Sequence, residues 1–98
     1  MNFQQCRYVE VVARVGSFSQ AAKELYMTQP NLSCSIKDLE NELGVQLFTR
    51  SNTGTRLTED GHDFLKYAKR IIGELDLLQQ RYHDQFKKSF TVASHHYD

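Results

Sequence analysis

Apolar positions along the first half of the chain recur at steps of three and four residues. Phe3, Cys6, Val9, Val12 and Ala13 share one helical face, and Gly16 stops that segment. Ser17 suits an N-cap, with Gln20 placed to complete a capping box, for a second helix of about two turns. Its inner face is Phe18, Ala21, Ala22 and Leu25. After Tyr26 and Met27, Thr28 caps a third helix, whose first turn accepts Pro30 because the amide proline lacks would be unpaired there. Leu32, Ile36, Leu39 and Leu43 form the stripe of this helix, which ends at Gly44. Pro30, Ser33, Cys34, Lys37 and Asn41 fall together well off that stripe, so one face packs and another is offered.

The period then changes. Residues 46–50 and 55–58 read as two short strands around 51–54, where Asn52 and Gly54 suit a turn with positive φ, which makes a small hairpin or wing. Thr58, Glu59 and Asp60 start a long helix, the hydroxyl as cap and the carboxylates at the positive end of the dipole. Along it Phe64, Ala68, Ile71, Leu75, Leu78 and Tyr82 alternate steps of four and three, the seam of a coiled coil. Running to about Lys88, the helix would be ~45 Å long, more than the preceding residues can cover. A second copy of the chain is the economical partner, because most soluble oligomers are two-fold homodimers. Residues 89–94 alternate like a strand and read as the start of a missing domain; a truncated or disordered tail is the alternative.

Ninety-eight residues with 40% hydrophobic content point to one small domain. No apolar run approaches the ~20 residues of a membrane span, and the N-terminus lacks a signal-peptide pattern, so a cytoplasmic location is expected. Cys6 and Cys34 lie in helices without CxxC spacing or a histidine to complete a zinc site; reduced thiols and no metal are expected. His95 and His96 would point apart on a strand, which is no ligand set. A Gly-rich phosphate loop and a nucleophile with a convergent base are both missing, which argues against an enzyme.

Charge complicates the picture, since twelve Lys plus Arg balance twelve Asp plus Glu. Nucleic-acid binders usually carry an excess of positive charge. Residues 1–58 hold six basic and five acidic side chains, and 59–98 hold six and seven. Any DNA affinity must therefore come from charge placement and helix N-termini.

The runs Phe18-Ser19-Gln20-Ala21-Ala22 and Gln29-Pro30-Asn31-Leu32-Ser33 carry a family resemblance. So do Ile36 to Leu39-Glu40, Leu43-Gly44, Leu47-Phe48-Thr49-Arg50 and Leu57-Thr58-Glu59-Asp60-Gly61. In this order and spacing they resemble the DNA-binding region of LysR-type transcriptional regulators over residues 1–88. The resemblance implies a mainly α fold: a winged helix-turn-helix over 1–58 with its helix-turn-helix at about 18–37, then a linker helix over 59–88 that dimerises with its mate. It implies double-stranded DNA as partner, bound as an interrupted palindrome by a dimer or a tetramer. A two-lobed effector domain taking a small molecule would follow, with 89–98 as its start. No cofactor is expected in this fragment. Residues 94–98 are similar to the start of that domain in a branch of Gram-positive members.

The resemblance places Gln29, Pro30 and Ser33 at the DNA surface. The Gln29 amide can pair with an adenine edge and Pro30 can touch a thymine methyl, although helix capping alone accounts for Pro30 equally well. Thr28, Ser33, Ser35 and Thr49 offer hydroxyls to phosphate oxygens, and Ser17 is counted with the DNA-binding residues. Cys34 and Thr53 stand where many members carry arginine, which leaves Lys37, Arg50 and Arg56 as the main cations. Arg50 has a structural alternative, pairing with Glu40 or Glu42. Cys34, on a DNA-facing helix, carries the further idea of an oxidation switch, whereas Cys6 reads as a small core hydrophobe. A protein-interaction module working through the long helix, with weak or no DNA binding, is the competing function.

Overall fold

The computed structural model describes the backbone of residues 1–92 and the side chains of residues 1–83. Its elements are α1 (Phe3–Val15), α2 (Phe18–Glu24), α3 (Gln29–Leu43), β1 (Phe48–Ser51), β2 (Gly54–Leu57) and α4 (Glu59–Val92). Among the described residues no helix is long and apolar enough to cross a membrane. The mainly helical winged helix-turn-helix with a long last helix is thus the architecture found.

Local signals set most of the boundaries. Asn2 opens α1 with a reciprocal capping box: its side chain accepts from the Gln5 amide at 2.8 Å, and the Gln5 side chain accepts from the Asn2 amide at 3.0 Å. Gln5 also donates to the Ser35 carbonyl at 3.2 Å, tying α1 to α3. Ser17 caps α2 through the Gln20 amide at 3.2 Å, without the return bond from the Gln20 side chain. Thr28 caps α3 by accepting from the Asn31 amide, with Pro30 in the first turn. Gly16 and Gly44 end α1 and α3 in the left-handed conformation, at φ 75° and 74°.

The core lies where α1, α2 and α3 meet. Val9, Val12, Ala21, Leu32, Ile36 and Leu39 are buried there, joined by Leu47 and Phe48 from the start of the wing. Phe18 meets Phe48 edge to face, centroids 5.7 Å apart. Cys6 is buried, and burial pushes its thiol pKa up. Leu43 departs from its expected stripe and is exposed at the end of α3, whereas Leu47, just beyond it, is fully buried in the core.

The wing is an antiparallel pair with Phe48 opposite Leu57, Thr49 opposite Arg56, Arg50 opposite Thr55 and Ser51 opposite Gly54. Its first strand begins at Phe48 rather than residue 46, and the Leu47 amide just before it donates to the Glu40 carboxylate at 2.7 Å. The Thr58 amide then donates to the Leu47 carbonyl at 2.9 Å, and its hydroxyl accepts from the Gly61 amide at 2.9 Å, pinning the start of α4 to the wing. Contact there is so close that a Cβ on Gly61 would sit 2.1 Å from the Leu47 carbonyl oxygen.

The long helix corrects two expectations. It continues through Val92, so residues 89–92 are helical rather than strand: α4 continues the same α-helical hydrogen bonding, and a lone strand would have no neighbour to pair with. Residues 93–98, including His95 and His96, lie outside the described residues. The seam is also divided. α4 runs antiparallel to α1, with Leu65 and Lys69 near Glu10 and Ala13, and Arg7 3.5 Å from Asp76. Ala68 is therefore buried within the chain, and Phe64 packs on its core. Leu75 is half-buried, while Ile71, Leu78 and Tyr82 are 46%, 51% and 61% exposed. Face and length both set the division: Ile71 is exposed although α1 still reaches Asp76 beyond it through Arg7, so it lies on another side of α4, and α1 has only 13 residues against 34 in α4. Tyr67, 64% exposed, joins the free residues on their side of the helix.

Candidate nucleic-acid interface

On α3, Gln29, Pro30, Cys34 and Lys37 are exposed and Ser33 is half-buried, all on the side away from Leu32, Ile36 and Leu39. The exposed first turn keeps amides that no helical carbonyl can take, at the positive end of the dipole. Thr28 is exposed too, but its hydroxyl oxygen is engaged as the cap.

The wing stands beside this face, and strand alternation sorts its side chains. Thr49 and Arg56 are directly opposite each other, share one face and are exposed. Arg50 and Thr55 lie on the other face, with Phe48 and Leu57. Arg50 reaches across the α2–α3 corner: its guanidinium carbon sits 3.7 Å from the Phe18 ring centroid, and Nη2 donates to Ser33 Oγ at 2.9 Å. Thr53 is exposed at the hairpin tip, its hydroxyl 2.8 Å from that of Ser51.

Arg50 separates two depressions. One, of about 280 Å³, is lined by Ser17, Phe18, Gln29, Arg50 and Thr55 among others. The other, of about 480 Å³, includes Ser33, Lys37, Glu40, Thr49 and Arg50. Ser17, Gln29, Ser33, Lys37, Thr49 and Arg50 are thus gathered around one continuous surface. Arg56, across the ladder from Thr49, and Thr53, at the hairpin tip, line neither depression.

The structural alternative for Arg50 takes a different form from the expected one. Glu40 accepts from the Leu47 and Phe48 amides at 2.7 and 3.2 Å, and Glu42 pairs with the N-terminal ammonium, so neither holds Arg50. Glu40 as the anchor of the wing, Phe18 as the platform under Arg50 and Gly61 as a close-approach point were not legible in the sequence. All three depend on chain crossings between distant positions.

Electrostatics divides the basic residues by location. Arg7 pairs with Asp76, and Arg14 with Glu10 and Glu24. The Glu24 carboxyl is held below the usual range by its hydrogen bond from Arg14, and the Arg14 guanidinium is raised in turn. Among the described residues Lys37, Arg50 and Arg56 have no acid within ion-pair distance, and neither does Lys23. Three of the four unpaired cations in residues 1–58 therefore lie on α3 and the wing. Among the described residues there is also no group of three potential metal ligands.

The chain is 43% identical over 72 residues to the HTH-type transcriptional regulator TcbR of Pseudomonas sp. (strain P51), covering 74% of this chain and 24% of TcbR. It spans about a quarter of the length of that relative. Its fold matches the crystal structure of CbnR, a LysR family transcriptional regulator, with TM-score 0.78 and 38% identity over 85% of this chain and 29% of CbnR. It also matches the BenM DNA-binding domain in complex with catB site 1 DNA, with TM-score 0.81 and 34% identity over 86% of this chain and 93% of that one. Residues 3–62 match the bacterial regulatory helix-turn-helix proteins of the lysR family, and the chain belongs to that family.

Proposed function

We propose that this chain is the DNA-reading part of a sequence-specific transcriptional regulator. The observation that carries the reading is the outer face of α3, which is withheld from the core and flanked by a wing whose arginines have no acidic partner among the described residues. The first turn of α3 enters the major groove, where Gln29 and Pro30 meet base edges, while Ser17, Ser33, Thr49, Lys37 and Arg56 position the domain on phosphates. Chemistry on a substrate is no part of this reading, which is that of a binding protein working in the cytoplasm.

Two copies joined through Ile71, Leu78 and Tyr82, with Tyr67 alongside, present two α3 helices to an interrupted palindrome. Further association to a tetramer and a small-molecule effector both belong to the longer protein that the length of the relatives implies. Few cations per domain make each half-site weak, so joining two of them supplies much of the affinity. The test is selection of duplex DNA from a random pool, followed by gel shifts at rising salt. Binding to selected sites that falls steeply with salt is expected. No binding even at low salt overturns the reading in favour of a module that works through α4 alone.

A further inference from the structure

We propose that Arg50 is a positioning residue that clamps the wing to the recognition helix, and so fixes the distance between the two parts that touch DNA. The inference rests on the DNA-binding reading above. Its basis is a two-point attachment of β1 to α3. At the root, the Glu40 carboxylate accepts from two successive amides, Leu47 and Phe48. Farther along the strand, the Arg50 guanidinium lies over the Phe18 ring at 3.7 Å and donates to Ser33 on α3 at 2.9 Å.

Each point alone leaves the wing a hinge. Beyond Phe48 the hairpin is held by the β1–β2 ladder, by Leu57 packed against the core at the end of β2, and by one backbone bond, from the Thr55 amide to the Gly16 carbonyl at 3.3 Å. A two-stranded ribbon is marginal by itself, so its angle to α3 depends on what its inward face touches. Arg50 is the polar side chain of that face which bridges to both α2 and α3. A guanidinium suits the task because it is planar, stacks flat on an aromatic ring and still has donors to spare. Lysine has the charge without the plane. Bonding to Arg50 also fixes the Ser33 hydroxyl, so the clamp sets the rotamer of a group that faces the DNA side of α3.

The experiment uses the full 98-residue chain, duplex DNA selected from a random pool by the wild type, and two variants. Amide hydrogen exchange at residues 52–55 is read in the free protein, and affinity and its salt slope are read with the selected DNA. Arg50→Lys should exchange faster across the wing and bind about tenfold more weakly with an unchanged salt slope, because charge is kept and geometry lost. Arg56→Ala should leave wing exchange alone and lower the slope by about one. Wild-type affinity in Arg50→Lys overturns the proposal, whatever the exchange shows, and so does unaltered wing exchange. A wild type that selects no DNA defeats the DNA-binding reading instead, and wing exchange in free Arg50→Lys still decides whether the clamp exists.

Discussion

α1 and α3 are built to nearly the same local plan and put to opposite uses. Both open on an extended polar cap, Asn2 or Thr28, and both close on a left-handed glycine. Both bury one stripe in the same core. α1 packs a second side against α4 and has its arginines matched by Asp76, Glu10 and Glu24. α3 leaves its second side open and has Lys37 unmatched. Local signals therefore make the helix, and the purpose of a helix shows in what the rest of the chain declines to cover.

The sharpest way to break this comparison lies within α3. Leu39→Ala removes a fully buried side chain and should cost about 2–5 kcal/mol in urea unfolding. Gln29→Ala, on the open face of the same helix, should stay within about 0.5 kcal/mol while abolishing binding to the selected DNA. Equal destabilisation by the two would mean that the outer face is structural. Next come the caps. Asn2→Ala removes a capping box tied through Gln5 to α3 and should cost about 1–2 kcal/mol. Thr28→Ala loses one exposed bond of 3.3 Å and should cost less than about 1 kcal/mol. The reverse order would show that α3 is the helix more dependent on its cap.

What could be read in advance divides along the same line. The helices, the wing and the outer face of α3 follow from periodicity and capping residues within a few positions of each other. The seam of α4 was legible as apolar but not as divided, because Phe64 and Ala68 keep the period of Ile71 and Leu78 while facing α1. Period reports which residues seek cover, not which neighbour supplies it. Arg50 shows the same limit at the site: its charge is plain in the sequence, but the Phe18 ring and Ser33 that hold it come from other elements. Residues 89–92 are helical despite their alternation, because alternation over so few positions does not outweigh continuation of an existing helix.

A finer test concerns the two wing arginines, which the sequence presents alike. Arg56 is on the outer face opposite Thr49, and Arg50 is on the inner one opposite Thr55. Arg56→Ala should weaken binding to selected and unrelated duplexes by the same factor, since a phosphate contact carries no sequence information. Loss confined to the selected sequence would instead make Arg56 a base reader and would leave the sorting of the wing faces without functional meaning.

The smallest effect is expected on the α1 side, at the pair between Arg14 and Glu24 that joins α1 to α2. The carboxyl of Glu24 is lowered first by the hydrogen bond from Arg14, and both side chains are exposed, so water and salt screen most of the attraction. For a carboxylate with a depressed folded-state pKa, the stabilisation is present above its ordinary pKa and is lost as pH falls through the folded value. Thermal unfolding of wild type and Glu24→Gln should therefore differ slightly near neutral pH, converge as the pH is taken below the carboxylate range, and converge again in molar salt at neutral pH. A gap that widens on acidification would assign the difference to a contact other than the ion pair. Lys37→Gln on α3, where no partner is lost, should show no such gap at any of these conditions. If it matched Glu24→Gln in size and pH dependence, the contrast between paired and withheld charge would not hold.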